Sequence, residues 1–274
     1  MHRPRPPLIA AVTAAPALAV AFALSAASAQ TGGAETGTDP NPCHDPARTQ
    51  LLCPNLQMAP PADIWIERKG GRVLMHGQNS IDSRGRGPAE LRGRRSGKVT
   101  MRAKQVIHKR NGGHLVVNTH AHLGFKGIPG QGHYWKFRDA GVFEVWRVDR
   151  SGHPLRRLRT GEKQYYCLRD LKHTRPGRRS PKRFVYPGCN QNPSQQRVTV
   201  GTSVGWSDVY PSTYYEQYVD VTGLRGRVGF FMVADPSNGI WETNEHDNAG
   251  ETVVRLPSGR VVSRHGRIDR PHKP

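Results

Sequence analysis

The stretch Val142-Phe143-Glu144-Val145-Trp146-Arg147-Val148 decides the fold class. Val142, Glu144, Trp146 and Val148 fall on one side of an extended chain, and Phe143, Val145 and Arg147 on the other. That period of two marks a strand of a sheet. Outward from it, short runs rich in β-branched and aromatic residues recur between Gly and Pro, at 63–67, 72–76, 99–108, 114–119, 163–169, 217–221 and 229–234. No window of eleven residues carries a helical stripe, and 22 Pro with 30 Gly work against long helices. The expectation is an all-β protein, a β-sandwich core with long loops and little helix.

The ends read differently. Residues 1–29 carry Arg3 and Arg5, an apolar run over 8–24, and Ala27-Ser28-Ala29 before Gln30, the pattern of a secretory signal peptide. The alternative is an uncleaved anchor. Residues 30–42 form a flexible leader of Gly, Thr, Asp and Pro, 43–259 the domain, and 260–274 a basic polar tail. Past residue 30 no stretch approaches the roughly 18 apolar residues of a membrane-spanning helix.

An even set of four cysteines suits an oxidising compartment, and the shortest loops pair Cys43 with Cys53 and Cys167 with Cys189. Neither pair has the two-residue spacing of a Cys-metal site. With 41 Lys and Arg against 21 Asp and Glu, the formal charge is +20, and the excess clusters at 84–98, 147–159 and 169–183. Such a surface attracts anionic polymers through counterion release; outside a cell these are wall polymers, acidic glycans or extracellular DNA. Zinc-finger spacing, a Gly-rich phosphate loop, a G-x-S-x-G elbow and a paired-carboxylate site are absent from the sequence.

Five segments in order resemble one family. Lys163-Gln164-Tyr165-Tyr166-Cys167-Leu168-Arg169-Asp170 is similar to a Lys-x-x-Phe-Cys-Leu-x-Asp strand. Gly205-Trp206-Ser207-Asp208-Val209-Tyr210 and Gln217-Tyr218-Val219-Asp220-Val221-Thr222 resemble Gly-x-x-Asp-x-Tyr and Gln-x-Ile-Asp-Ile-Thr. Cys53-Pro54-Asn55-Leu56 is like a Pro-Asp-Leu opening, and Asn79-Ser80-Ile81 with Gly85-Arg86-Gly87-Pro88 is like bacterial members. The family is the lysyl oxidases, secreted amine oxidases that use copper and a quinone, and the resemblance covers about 53–256. It implies that Lys163 and Tyr210 are the precursors of lysyl tyrosylquinone, on which an amine substrate (a protein lysine or a small primary amine) condenses, with Asp208 in position for the proton-abstracting base.

The resemblance also implies a copper strand of the form His-x-His-x-His. Alignment on Phe143-Glu144-Val145 puts Gly132, Tyr134 and Lys136 at its three positions. Gly has no side chain, neutral Tyr ligates Cu(II) poorly, and a protonated Lys repels it. His133 falls between these positions and faces the opposite side of a strand. A rearranged set could use His120, His122 and His133. A second implied metal is calcium, at the family's Glu-x-Asp-x-x-Asn-Asn segment closed by the domain opening; here these are Glu242, Asn244, Asp247 and Asn248 with Asn55 and Leu56. That set has fewer carboxylates than the family pattern, which weakens affinity, and an ion-free Asx-rich turn is the alternative. Either arrangement would clip the first ordered segment to the last strand.

Two functions therefore stand. One is a copper-dependent amine oxidase with a rearranged metal site. The other, favoured by the missing imidazoles, is a non-catalytic domain of the same descent whose cationic surface binds an anionic wall polymer or glycan.

Overall fold

The computed structural model of the chain describes residues 40–162 and 164–271. The segment read as a signal peptide, most of the leader and Lys163 lie outside these residues. Every regular element described is a strand: β1 Leu51–Leu52, β2 Leu56–Met58, β3 Ala62–Lys69, β4 Arg72–Ser83, β5 Ala89–Arg95, β6 Thr100–Lys109, β7 His114–Ile128, β8 Gly132–Val148, β9 Pro154–Thr160, β10 Gln164–Tyr166, β11 Lys172–His173, β12 Arg197–Thr202, β13 Trp206–Tyr210, β14 Tyr218–Asp220, β15 Gly226–Ala234, β16 Ala249–Leu256 and β17 Arg260–Ile268. The class is all-β, as the alternation in the sequence predicts.

The strands form two antiparallel sheets. The larger runs β12-β5-β6-β7-β8-β15-β16-β17, with β1 joined to β6, and β9 and β10 to β8; the smaller runs β11-β13-β4-β14, with β2 and β3 joined to β4. The core lies between them, where Met58, Met75 and Ile81 of the smaller sheet meet Leu91, Leu123, Phe143, Val145, Phe230 and Met232 of the larger. Phe143 meets Phe230 edge-on at 6.0 Å within this layer. The opposite face of β8 is covered as well. There Trp146 meets Phe231, and the fully buried Glu144 accepts hydrogen bonds from the Trp146 indole, Arg157 and Arg270. A carboxylate can be sunk in this layer because cationic donors reach it from outside.

Both expected disulfides are formed, Cys43–Cys53 and Cys167–Cys189. Among the described residues no helix is long and apolar enough to cross a membrane.

Several boundaries differ from the sequence reading. The segment from 260 is not a tail: β17 pairs with β16 from Arg260↔Arg255 to Ala249↔Ile268, and Gly259 makes the connecting turn at φ +72°. Its side chains are polar because it is an edge strand with one wet face, so hydropathy hides it. Packing also extends ahead of Cys43: Asn41 is buried and its amide donates to the Glu242 carbonyl and to Glu245. Strand β7 runs past the expected 119 to Ile128, with His120 and His122 pointing outward while Ala121 and Leu123 turn in. Strand β9, Pro-Leu-Arg-Arg-Leu-Arg-Thr, gave no alternation to read, and its order comes from backbone pairing to β8.

Candidate functional site

Tyr210 ends β13 and is buried. Its ring stacks on Tyr166 of β10 at 4.3 Å and 15°, and Tyr214 meets it edge-on at 4.8 Å. The phenol oxygen of Tyr210 accepts a hydrogen bond from the Cys167 amide at 3.0 Å. Tyr166 in turn accepts from the Asn79 side chain on β4. The disulfide at Cys167 and the β4–β13 ladder, where Tyr210 pairs with Asn79, therefore hold this aromatic stack in register.

Lys136 of β8 projects toward the same stack. Its ammonium lies 5.1 Å from the Tyr210 ring centre and 5.4 Å from that of Tyr214, and donates to the Tyr214 hydroxyl at 3.4 Å. It is only 2% exposed. Burial lowers its pKa to about 8, against the raising effect of Asp208 and Glu216. The contacts are of cation–π type, which gains strength where water is excluded. A cavity of about 190 Å³ opens here, lined by Tyr134, Lys136, Cys167, Arg169, Tyr210 and Tyr214 among others.

Asp208 does not line that cavity. It is fully buried, accepts the Leu168 amide at 3.1 Å, and has the Arg169 guanidinium 3.6 Å away. Burial pushes its pKa up to about 6 despite Arg169 and Lys136. Burial, with Asp208 next, also raises the Tyr210 phenol well above its usual value. A neutral, stacked phenol therefore sits beside a cation, and Asp208, which raises its pKa, is itself paired with Arg169.

The three aligned copper positions do not make a copper site. Gly132 adopts φ +113° and presents no donor, the Tyr134 hydroxyl donates to the Gln131 carbonyl at 2.8 Å, and Lys136 brings a cation. The alternative imidazoles are split. His120 and His122 line a different cavity, with Asp139 and Asp235, whereas His133 stacks on Phe125 at 5.6 Å. Among the described residues no three His, Cys, Asp or Glu side chains converge to hold a metal ion. Lys163, the other expected quinone precursor, lies outside the described residues.

The calcium-type segment lies in the loop between β15 and β16 and meets the domain opening. Fully buried Glu242 accepts the Leu56 amide and, at 2.9 Å, the Asn248 side chain. Asp247 accepts from Asn55 at 3.1 and 3.2 Å and from Gln57. Asn244 departs from the expected set: it is exposed, and its side-chain oxygen accepts the His246 amide at 3.0 Å. Leu56 contributes an N–H rather than an oxygen. Glu245, which sequence spacing did not single out, joins the cluster through the Glu242 amide and Asn41. Burial, then Asp235 and Glu245, raises the Glu242 carboxyl well above its usual value. Asn55 Oδ1 and Asn248 Oδ1 are buried without a hydrogen-bond partner. Two carboxylates and two orphaned amide oxygens are donors that suit a hard cation.

Tyr166, Tyr214 and Arg169 join the site without a sequence signal that marks them as site residues. The period-two pattern of β10 puts Tyr166 on one face, but only the fold shows that this face meets Tyr210. Comparison with models of known protein families and with curated proteins gives no match.

Proposed function

We propose that the chain is an exported, non-catalytic protein of lysyl oxidase-like descent, and that its cationic surface binds an anionic extracellular polymer such as a wall polymer or acidic glycan. The observation that carries this reading is the Lys136 ammonium over Tyr210, at a position where the family would need an imidazole. A cation buried there opposes a second cation at the same ring, and the neighbouring Gly132 and Tyr134 offer no compensating nitrogen. Copper does not fit these residues, so no oxidative step is assigned to Tyr210.

Binding rests on charge. The runs at 84–98, 147–159 and 169–183 contribute most of the excess behind the formal +20. Neutralised phosphates or carboxylates on a polymer release counterions, so affinity must weaken steeply with salt. Retention on a sulfated or phosphorylated matrix should fall sharply as salt rises. Retention indifferent to salt would remove the reading.

Calcium is assigned a structural part. Glu242, Asp247, Asn55 and Asn248 would hold the ion, and it would neutralise the carboxylates that fasten the domain opening to the loop ahead of β16.

A further inference from the structure

A larger cavity than the one at Tyr210 lies away from it. It encloses about 490 Å³ between the β1–β6 edge, the loop at 85–88 and the segment at 179–186. Leu52, Pro88, Pro181, Val185 and Val204 give it an apolar lining, and Arg86, Arg110 and Arg179 stand around it. None of these three guanidiniums has an acidic partner among the described residues, and no Asp or Glu lines the cavity. By contrast, Arg157 and Arg270 both reach the Glu144 carboxylate.

The walls are fixed in place. The Arg86 and Gly87 amides both donate to the Cys53 carbonyl, at 2.8 and 3.1 Å. A β-carbon at Gly87 would come within 2.1 Å of the Leu52 carbonyl oxygen, so this loop can lie against β1 only as glycine. On the other side Asp170 accepts the Val185 amide at 2.7 Å and the Tyr186 amide at 3.3 Å, and the Trp206 indole donates to the Pro181 carbonyl at 3.0 Å. The Tyr186 hydroxyl donates to buried Glu90, which His108 also contacts at 2.8 Å. Val185 remains 57% exposed and its neighbour Phe184 61%, an apolar lip on a pre-formed cleft.

We infer that this cleft binds a small amphiphilic anion, with an apolar chain along Leu52, Pro181 and Val185 and a carboxylate facing Arg86, Arg110 and Arg179. An extended sugar or nucleic acid polymer fits the charge but leaves the apolar lining without a partner. A single acyl chain with a charged end satisfies both. The inference does not rest on the polymer reading, although Arg86 and Arg179 belong to two of the basic runs assigned to it.

Titration calorimetry of the whole chain with decanoate below its micelle concentration tests this, with acetate and decyltrimethylammonium as the head-only and opposite-charge probes. Decanoate should bind saturably at one site per chain, and neither control should. Arg110→Ala combined with Arg179→Ala should weaken decanoate about tenfold or more through lost charge-assisted hydrogen bonds. Val185→Asp, at an exposed position, should do the same. Both variants should melt like the parent. Absence of decanoate binding, equal binding of acetate or the cationic amphiphile, or unchanged affinity in both variants would overturn the inference. Salt-dependent retention of the unmodified protein on an anionic matrix reports separately on polymer binding.

Discussion

The ammonium of Lys136 lies 5.1 Å from the centre of the Tyr210 ring, buried and, among the described residues, with no carboxylate in hydrogen-bonding contact. Taking an ammonium out of water costs free energy, and the two tyrosine faces return only part of it. The proton on Lys136 is correspondingly loose.

Stability should record this. The Lys136 pKa is lowered to about 8 from 10.5. Between those values the unfolded chain holds a proton that the folded chain has released, so stability rises with pH across that window. Lys136→Met lacks the effect. In urea denaturation the parent should gain on Lys136→Met from pH 8 to pH 10; parallel profiles would refute the burial of a titrating amine.

Asp208 should show the opposite sign at lower pH. Its pKa is raised to about 6 from 3.8 by burial, so the folded chain retains a proton that the unfolded chain gives up. Stability contributed by the protonated form is lost as pH rises from about 4 to 6. Asp208→Asn keeps an acceptor for the Leu168 amide and removes the titration. The parent should therefore lose ground to Asp208→Asn over that interval, and a constant difference would contradict the shift.

The clip between the domain opening and the loop before β16 predicts a calcium effect. Burial, then Asp235 and Glu245, raises the pKa of its buried carboxyl, Glu242. A bound cation favours ionisation, so added calcium should raise the melting temperature, more at pH 8 than at pH 5. A chelator should reverse the rise, and Asp247→Ala should abolish it. A melt unaffected by calcium and chelator would leave the hydrogen bonds from Leu56, Asn55, Gln57 and Asn248 as the whole of the clip.

The fold was legible where a strand is buried. The alternation over 142–148 gives the strand, its two faces and the sheet class, because Phe143 and Val145 enter the core while Trp146 packs on the other side. Edge strands were not legible: β9 and β17 carry arginines outward, and their order comes from backbone hydrogen bonds to β8 and β16. At the site, the family resemblance pointed to Lys136, Tyr134 and Tyr210, but the union of β8, β10 and β13 that brings Lys136 over Tyr210 and stacks Tyr166 on it is long-range. Asp170 is a further case. It ties Val185, Tyr186 and Ser203 through four hydrogen bonds, and its place at the end of the 163–170 motif does not reveal these partners.

The most direct test of the central claim is metal and quinone analysis of the protein produced with copper in excess. The account predicts no stoichiometric copper, no quinone absorbance, no adduct with a hydrazine, and no peroxide released from a primary amine. One copper per chain together with a quinone chromophore that Tyr210→Phe removes would contradict it and restore the oxidase.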